Sequence, residues 1–270
     1  MNSGMKPTRG PRVRTDVSSI GVSSENYARR IALSGRKPLS TKLITLVSAF
    51  AALDIVLATI PLIPYGPSAG ALVKPSEGIF LGPWGGMFAA FIGGIVSSVI
   101  WPSTAVLGLA TWIPGVIGAF GAGMLLKGKW KPVALLLLVI LLGFFVHPFG
   151  PPVFVYANWD KAIALALVYP AFRLVNRGLR ERGSVKALMP VLGLVSFIAT
   201  EIDGATGNLV FLLEAWPVFG LTGEMLPALF IPYTFLDPAV RVLVGIVCAL
   251  VLTPVLVAAE KANLLKWPLT

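Results

Sequence analysis

The sequence predicts an all-α, polytopic helix bundle embedded in a membrane, with about six to eight membrane segments. Three observations carry this. Apolar residues make up 56% of the 270-residue chain and charged residues only 13%, about half the charged share of a soluble domain. From Gly78 to Leu126 there are 49 consecutive residues without Asp, Glu, Lys or Arg, where one spanning helix needs only about 20. The basic residues fall in clusters between apolar runs, the pattern that orients a membrane protein. A soluble enzyme, a disordered scaffold and a disulfide-stapled secreted domain are excluded.

The first 42 residues hold nine Lys/Arg against Asp16 and Glu25 and few large apolar side chains. This reads as an unstructured basic tail. A basic tail can bind nucleic acid, but this one leads straight into an apolar span. Anchoring at the cytoplasmic face near anionic lipid accounts for it, with no nucleic-acid partner. No apolar core follows its first basic residues, so it is not read as a cleavable signal peptide.

The first span is expected over Leu43–Ile63, stopped by Pro61 and Pro64. Gly and Pro make the following stretch, PYGPSAGALVKPSEG, a loop. The uncharged run 78–126 is too long for one span, and positive charge decides how it folds. If the chain dips inward over about 72–82, turns at Gly82-Pro83 and returns over 84–101, then Lys127, Lys129 and Lys131 face the cytoplasm with the other basic clusters. A dip of half length must be packed within protein rather than face lipid. By the same parity 104–126 runs inward, 132–147 outward, 161–176 inward, 186–201 outward and 236–259 inward, with 147–160 and much of 204–235 as outer structure. The bundle thus occupies 43–260, followed by a cytoplasmic tail over 261–270. Plasma-membrane localisation with a cytoplasmic N-terminus follows.

On this topology Glu77, Asp160, Glu201, Asp203, Glu214, Glu224 and Asp237 lie outside or at outer depths, against Lys74, Lys161 and Arg241. An acidic mouth concentrates cations; exclusion of basic residues from outer loops gives the same pattern. Asp54 sits within the first span, where an ionisable group must face the bundle interior, and Arg241 is a candidate partner.

The densest polar patch is Thr200-Glu201-Ile202-Asp203-Gly204-Ala205-Thr206-Gly207-Asn208. On a helix Glu201 and Asp203 diverge, whereas an unwound segment aims both at one cavity; a solvated loop is the plainer alternative. Tyr156, Asn158 and Trp159 form a polar-aromatic group at the same depth, and Trp112 lies near the outer boundary. An interfacial aromatic belt gives the same residues. Glu201, Asp203 and Asn208 are therefore the candidate polar contacts to a ligand, with Trp112, Tyr156, Asn158 and Trp159 for stacking and lid contacts.

Small residues crowd the spans, in ridges such as Ser48-xxx-Ala52, Ala89-xxx-Gly93 and Ala90-xxx-Gly94. They suit close helix packing, within one bundle or against another subunit. One His and one Cys make an all-protein zinc or nickel site improbable, and no cofactor is expected. There is no G-x-x-x-x-G-K-[ST] loop, HExxH or CxxC, so no catalytic role is expected, and ATP-driven transport would need a partner ATPase.

The ridge at Ser48/Ala52, the turn Leu81-Gly82-Pro83-Trp84-Gly85-Gly86 and the late segment LPALFIPYTFLDPAVRVLVGIVCALVL together resemble the substrate-binding S components of energy-coupling factor (ECF) vitamin transporters. The resemblance covers about 40–270, with Ser48 in place of one small alanine. It implies a small-molecule importer subunit that holds a vitamin or related micronutrient in an outward cavity beneath the loop around 64–77. Such a subunit docks through Ser48 and Ala52 to a transmembrane coupling subunit driven by ATPase subunits. If the acids line the cavity, the ligand is cationic or rich in hydrogen-bond donors. Two other classes remain open on the residues alone. One is a standalone secondary transporter or channel through Asp54, Glu201 and Arg241; the other is a membrane enzyme using Glu201 and Asp203.

Overall fold

The computed structural model describes residues 41–62, 67–102, 105, 107–178, 184–215 and 217–262. Nearly all of the expected basic tail 1–42 and of the expected C-terminal tail lie outside these residues; Thr41 and Lys42 are helical. The chain divides into units Met1–Thr41 and Lys42–Thr270, and the architecture described is that of the second. Among the described residues it is all helix: α1 Thr41–Leu57, α2 Val73–Ile100, α3 Trp112–Leu126, α4 Trp130–Val146, α5 Phe154–Gly178, α6 Val185–Ala215, α7 Leu226–Phe230 and α8 Leu236–Lys261, with short 3₁₀ turns between them.

The distribution of polarity is inverted relative to a water-soluble protein. The open face of α4 is Leu135, Leu138, Val139, Leu142, Phe145 and Val146; that of α8 includes Val242, Leu243, Ile246, Leu250, Val251 and Val255. Asp54, Glu77, Asp160, Lys161, Glu201 and Arg241 are buried instead. In water this arrangement would expose a large apolar belt and bury charge at high cost. In a bilayer the belt is solvated by acyl chains and polar groups must turn inward. These are the apolar helices of a membrane protein.

Helix α2 is not one rod. Gly82 has φ 72° and ψ 179°, a region open essentially to glycine alone, and Pro83 follows it. The two arms fold back on each other there: a Cβ at Gly86 would come within 2.8 Å of the Gly78 Cα. In a continuous helix, residues eight apart lie about 12 Å apart. The packing of α3 agrees with a reversal. Gly115 meets Lys74 and Gly78 meets Ala119 along the first arm, so that arm runs parallel to α3. Gly94 meets Trp112 and Gly123 meets Pro83 along the second arm, which runs antiparallel to it.

By length and composition, three stretches qualify as spans: Ala69–Ile100, Val185–Ala215 and Leu236–Lys261. A fourth is added if Trp130–Val146 and Pro151–Gly178, bent by 114°, count as one. This is fewer than the six to eight segments expected from the sequence. The shortfall has a physical reason. α1 and α4 have 17 residues each and α3 only 15, about 22 to 26 Å of helix against a hydrocarbon core of about 30 Å.

Two boundaries also move. The polar patch 200–208 was expected to leave the helix near 201, but α6 continues unbroken to Ala215. The expected outer loop 147–160 is helical from Phe154 onward. In both places polar side chains find partners on neighbouring helices, so nothing forces the backbone to unwind.

Candidate functional site

The charged residues of the bundle form two adjoining groups. In the first, Lys161 is 2% exposed and donates from Nζ to Asp160 Oδ2 at 2.7 Å and Asp237 Oδ2 at 2.9 Å. Arg241, one helical turn beyond Asp237 on α8, donates from Nε to the same Asp237 oxygen at 2.9 Å and from Nη1 to the Thr200 carbonyl. Glu201 lies between them, 3.8 Å from Lys161 Nζ and 4.0 Å from Arg241 Nε. Both of its oxygens are buried and accept no hydrogen bond.

In the second group Lys74, near the start of α2, pairs with Asp54 of α1. Glu77, one turn along from Lys74, is fully buried, faces both Lys74 and Asp54, and has no donor on either oxygen. Asp203 joins the groups, since it lies in the fields of both Arg241 and Lys74. This second group is not fully enclosed: the Lys74 side chain is 14% exposed and Asp203 is partly exposed.

Glycines make room for these side chains. Asp54 rests on Gly70 and Gly93, Lys74 on Gly115, Asp203 on Gly118 and Arg241 on Gly204. A Cβ at Gly115 would lie 2.6 Å from the Lys74 chain, and one at Gly118 would lie 3.0 Å from Asp203 Cβ. The α2 ridge read from sequence as a packing surface is therefore used inside the bundle. Gly93 seats Asp54, Gly94 seats Trp112, and Ala90 packs with Val116 and Ala119 of α3.

The seven residues singled out for ligand contact do not converge on one cavity. Because α6 stays helical, Glu201 points to α5 and α8 while Asp203 points to Gly118 of α3. Asn208 Nδ2 donates to the Ala157 carbonyl at 2.8 Å and lies 3.5 Å from Asn158 Oδ1, joining α6 to α5. Trp159 Nε1 donates to the Thr234 carbonyl at 2.8 Å, and Tyr156 is exposed. Trp112 stacks edge-on with Phe91 in an apolar groove of about 300 Å³ shared with Trp84, Met87, Phe88 and Val116. Arg241 is committed to Asp237 and Thr200, and the partner of Asp54 is Lys74 rather than Arg241.

No protein-family model matches the chain, and neither does any curated protein or solved structure. The site is therefore read from its own chemistry.

Sequence reasoning missed Lys74, Glu77, Lys161 and Asp237 as site residues. The available signal was the Asp237/Arg241 spacing of four at the head of α8, and a Lys161 adjacent to Asp160 ahead of an uncharged helical stretch. Those charges were assigned to the outer side and counted in the balance of an acidic mouth. Among the described residues no group of three or more His, Cys, Asp or Glu is placed to hold a metal ion.

The α5–α6 link makes a testable prediction. Asn208→Ala should cost about 1 kcal/mol of stability by removing the bond to the Ala157 carbonyl. Its loss should be partly non-additive with that of Asn158→Ala, because Asn158 Oδ1 is the longer second contact of the same amide. Thermal unfolding of the two single variants and the double variant checks this; strictly additive losses would show that the pair is uncoupled.

Proposed function

We propose that this chain is the substrate-binding subunit of an ECF-type importer in the plasma membrane. It takes a vitamin or similar micronutrient from the outside and passes it inward with a separate coupling subunit and ATPases. The observation that carries the reading is the partly exposed charged group at Lys74 and Asp203 inside an otherwise apolar bundle. A few placed polar groups in an apolar frame are what a small-molecule site needs. Glu201, Arg241 and Lys161 brace this group rather than forming an ion path.

In this reading α1, the two arms of α2, α3, α4, α5, α6 and α8 are eight membrane-embedded segments, the first arm of α2 being re-entrant. The reversal at Gly82 and the cluster Lys127, Lys129 and Lys131 share the cytoplasmic end. The described residues 67–72 before α2 then lie outside, near Asp54 and Lys74, and shorter helices are covered by their neighbours.

The docking face is the open side of α1. Ser48, Ala49 and Ala52 are exposed there, on the side turned away from buried Val47, Ala51 and Asp54. Small side chains let a partner helix come close. Ala52→Trp is expected to leave ligand binding to the isolated subunit within about twofold and to reduce ATP-driven uptake at least tenfold. Uptake in cells and binding to purified protein measure the two separately; normal uptake by this variant would remove α1 as the docking face. Uptake into proteoliposomes containing this chain alone, driven by an ion gradient, would replace the importer-subunit reading with that of a secondary transporter.

A further inference from the structure

The two charged groups differ in how well they are balanced. Around Lys161, three carboxylates share two cations at hydrogen-bond or near-contact distance. Around Lys74, one ammonium serves Asp54, Glu77 and Asp203. Of these only Asp54 is bonded to it. Asp203 has the further help of the Arg241 charge, and Glu77 has nothing else.

A fully buried carboxylate without a donor is costly, by a few kcal/mol at least. Glu77 is 0% exposed and both its oxygens lack a partner. It sits three residues after Lys74 on the same helical arm, a spacing at which the two side chains can meet. Lys74 therefore has two carboxylates within reach and is bonded to one. The group as a whole is short of positive charge and short of N–H donors, and it is open to solvent at Lys74 and Asp203.

We infer that the charged group at Lys74 takes the nitrogen cation of a small organic ligand, an amine or amidine carrying at least two N–H groups, between Asp203 and Asp54. The inference rests on the ligand site proposed above. On binding, the ligand supplies the donors that Asp54 and Asp203 need, and Lys74 turns from Asp54 to Glu77. Every carboxylate of the group then has a partner. A metal ion fits the same charge poorly, because a divalent cation needs several converging oxygens and no group of three or more His, Cys, Asp or Glu among the described residues is placed to hold one. Gly115 lies against Lys74 and Gly118 against Asp203, so a side chain at either glycine would displace them.

The test uses the full chain in lipid nanodiscs without any ATPase. Benzamidine and putrescine are the probes; benzyltrimethylammonium, a cation without N–H groups, and benzoate are the controls. Calorimetry should show saturable binding of at least one N–H cation, with the controls at least tenfold weaker. Asp203→Asn should weaken that binding tenfold or more. Glu77→Gln, which removes the second home of Lys74, should weaken it several-fold in a protein with unchanged melting, and carries the test if Asp203→Asn fails to fold. Glu224→Gln, far from the site in sequence and exposed, should change nothing. Failure of both probes, equal binding of a control, or unchanged binding in both Asp203→Asn and Glu77→Gln would overturn the inference. Cation binding without ATP-driven uptake by any coupling subunit would keep the site and sink the importer reading. Uptake of a neutral or anionic ligand would keep the importer and sink the cation.

Discussion

Gly78→Val is expected to abolish folding. At this residue the two arms of α2 and helix α3 meet backbone to backbone. A Cβ at position 78 would collide with the carbonyl oxygen of Ala119 and come within 2.8 Å of Ala122 Cβ. Neither neighbour is the free end of a flexible side chain, so the collision can be relieved only by separating helices. Gly86 and Gly123 close the same three-way contact, against Gly78 and against Pro83. Lipid tails give no hydrophobic force to hold helices together, so close packing does most of that work. Separating them should cost about 3 kcal/mol or more, the upper end for overpacking. Thermal unfolding in nanodiscs and the monodisperse fraction after purification measure the effect. Gly143→Ala is the matched control. It lies inside α4 with its nearest neighbour at an ordinary 3.4 Å, and the change should be neutral or stabilise by about 0.5–1 kcal/mol. A Gly78→Val protein that melts like its parent would mean that the first arm of α2 is not in contact with α3.

The second large effect is at Lys161. Among the described residues its ammonium is the only cation bonded to Asp160, and it is shared with Asp237 and Glu201, all of them buried or nearly so. Lys161→Met keeps the volume and removes the charge. Three carboxylates would then face Arg241 alone. Breaking a buried pair by deleting one partner typically costs about 3–5 kcal/mol, because the other charge stays behind without compensation. The double variant Lys161→Met/Asp160→Asn removes the charge left behind and should recover at least half of the loss. Denaturant unfolding of the three proteins settles it. A Lys161→Met protein within about 1 kcal/mol of the parent would show that the cluster is hydrated in solution.

Much of this architecture is legible in the sequence because membranes allow few solutions. The uncharged run 78–126 is too long for one span, and Gly82-Pro83 is its only strong break compatible with the basic clusters. The reversal at that point is what the backbone adopts. The charged core was harder to read. Counting charges assigns them to a side of the membrane, whereas their partners are set by which helix faces meet. Asp54 was matched to Arg241 because both are charged and apolar-flanked, but the arm carrying Lys74 folds back against α1 and takes that place. The glycines misled for a related reason. A small residue in a span signals close approach, and does not say whether a backbone or the side chain of a buried aspartate or lysine does the approaching. The continuation of α6 through Gly204 and Gly207 shows the same limit: local propensity argued for a bend, and partners on α3, α5 and α8 hold the helix straight.

The whole site depends on the reversal of α2, because only a folded-back arm brings Lys74 and Glu77 to Asp54 while Gly93 of the other arm touches the same aspartate. Spin labels at Leu72→Cys and Ile100→Cys, in a Cys248→Ala background and with the protein in nanodiscs, report it directly by pulsed electron–electron distance measurement. Folded arms place the two backbone positions about 15–20 Å apart, whereas a continuous helix over the same residues holds them about 42 Å apart. A single distance distribution in the short range is the result expected; one centred near the long value would contradict the site and the function built on it.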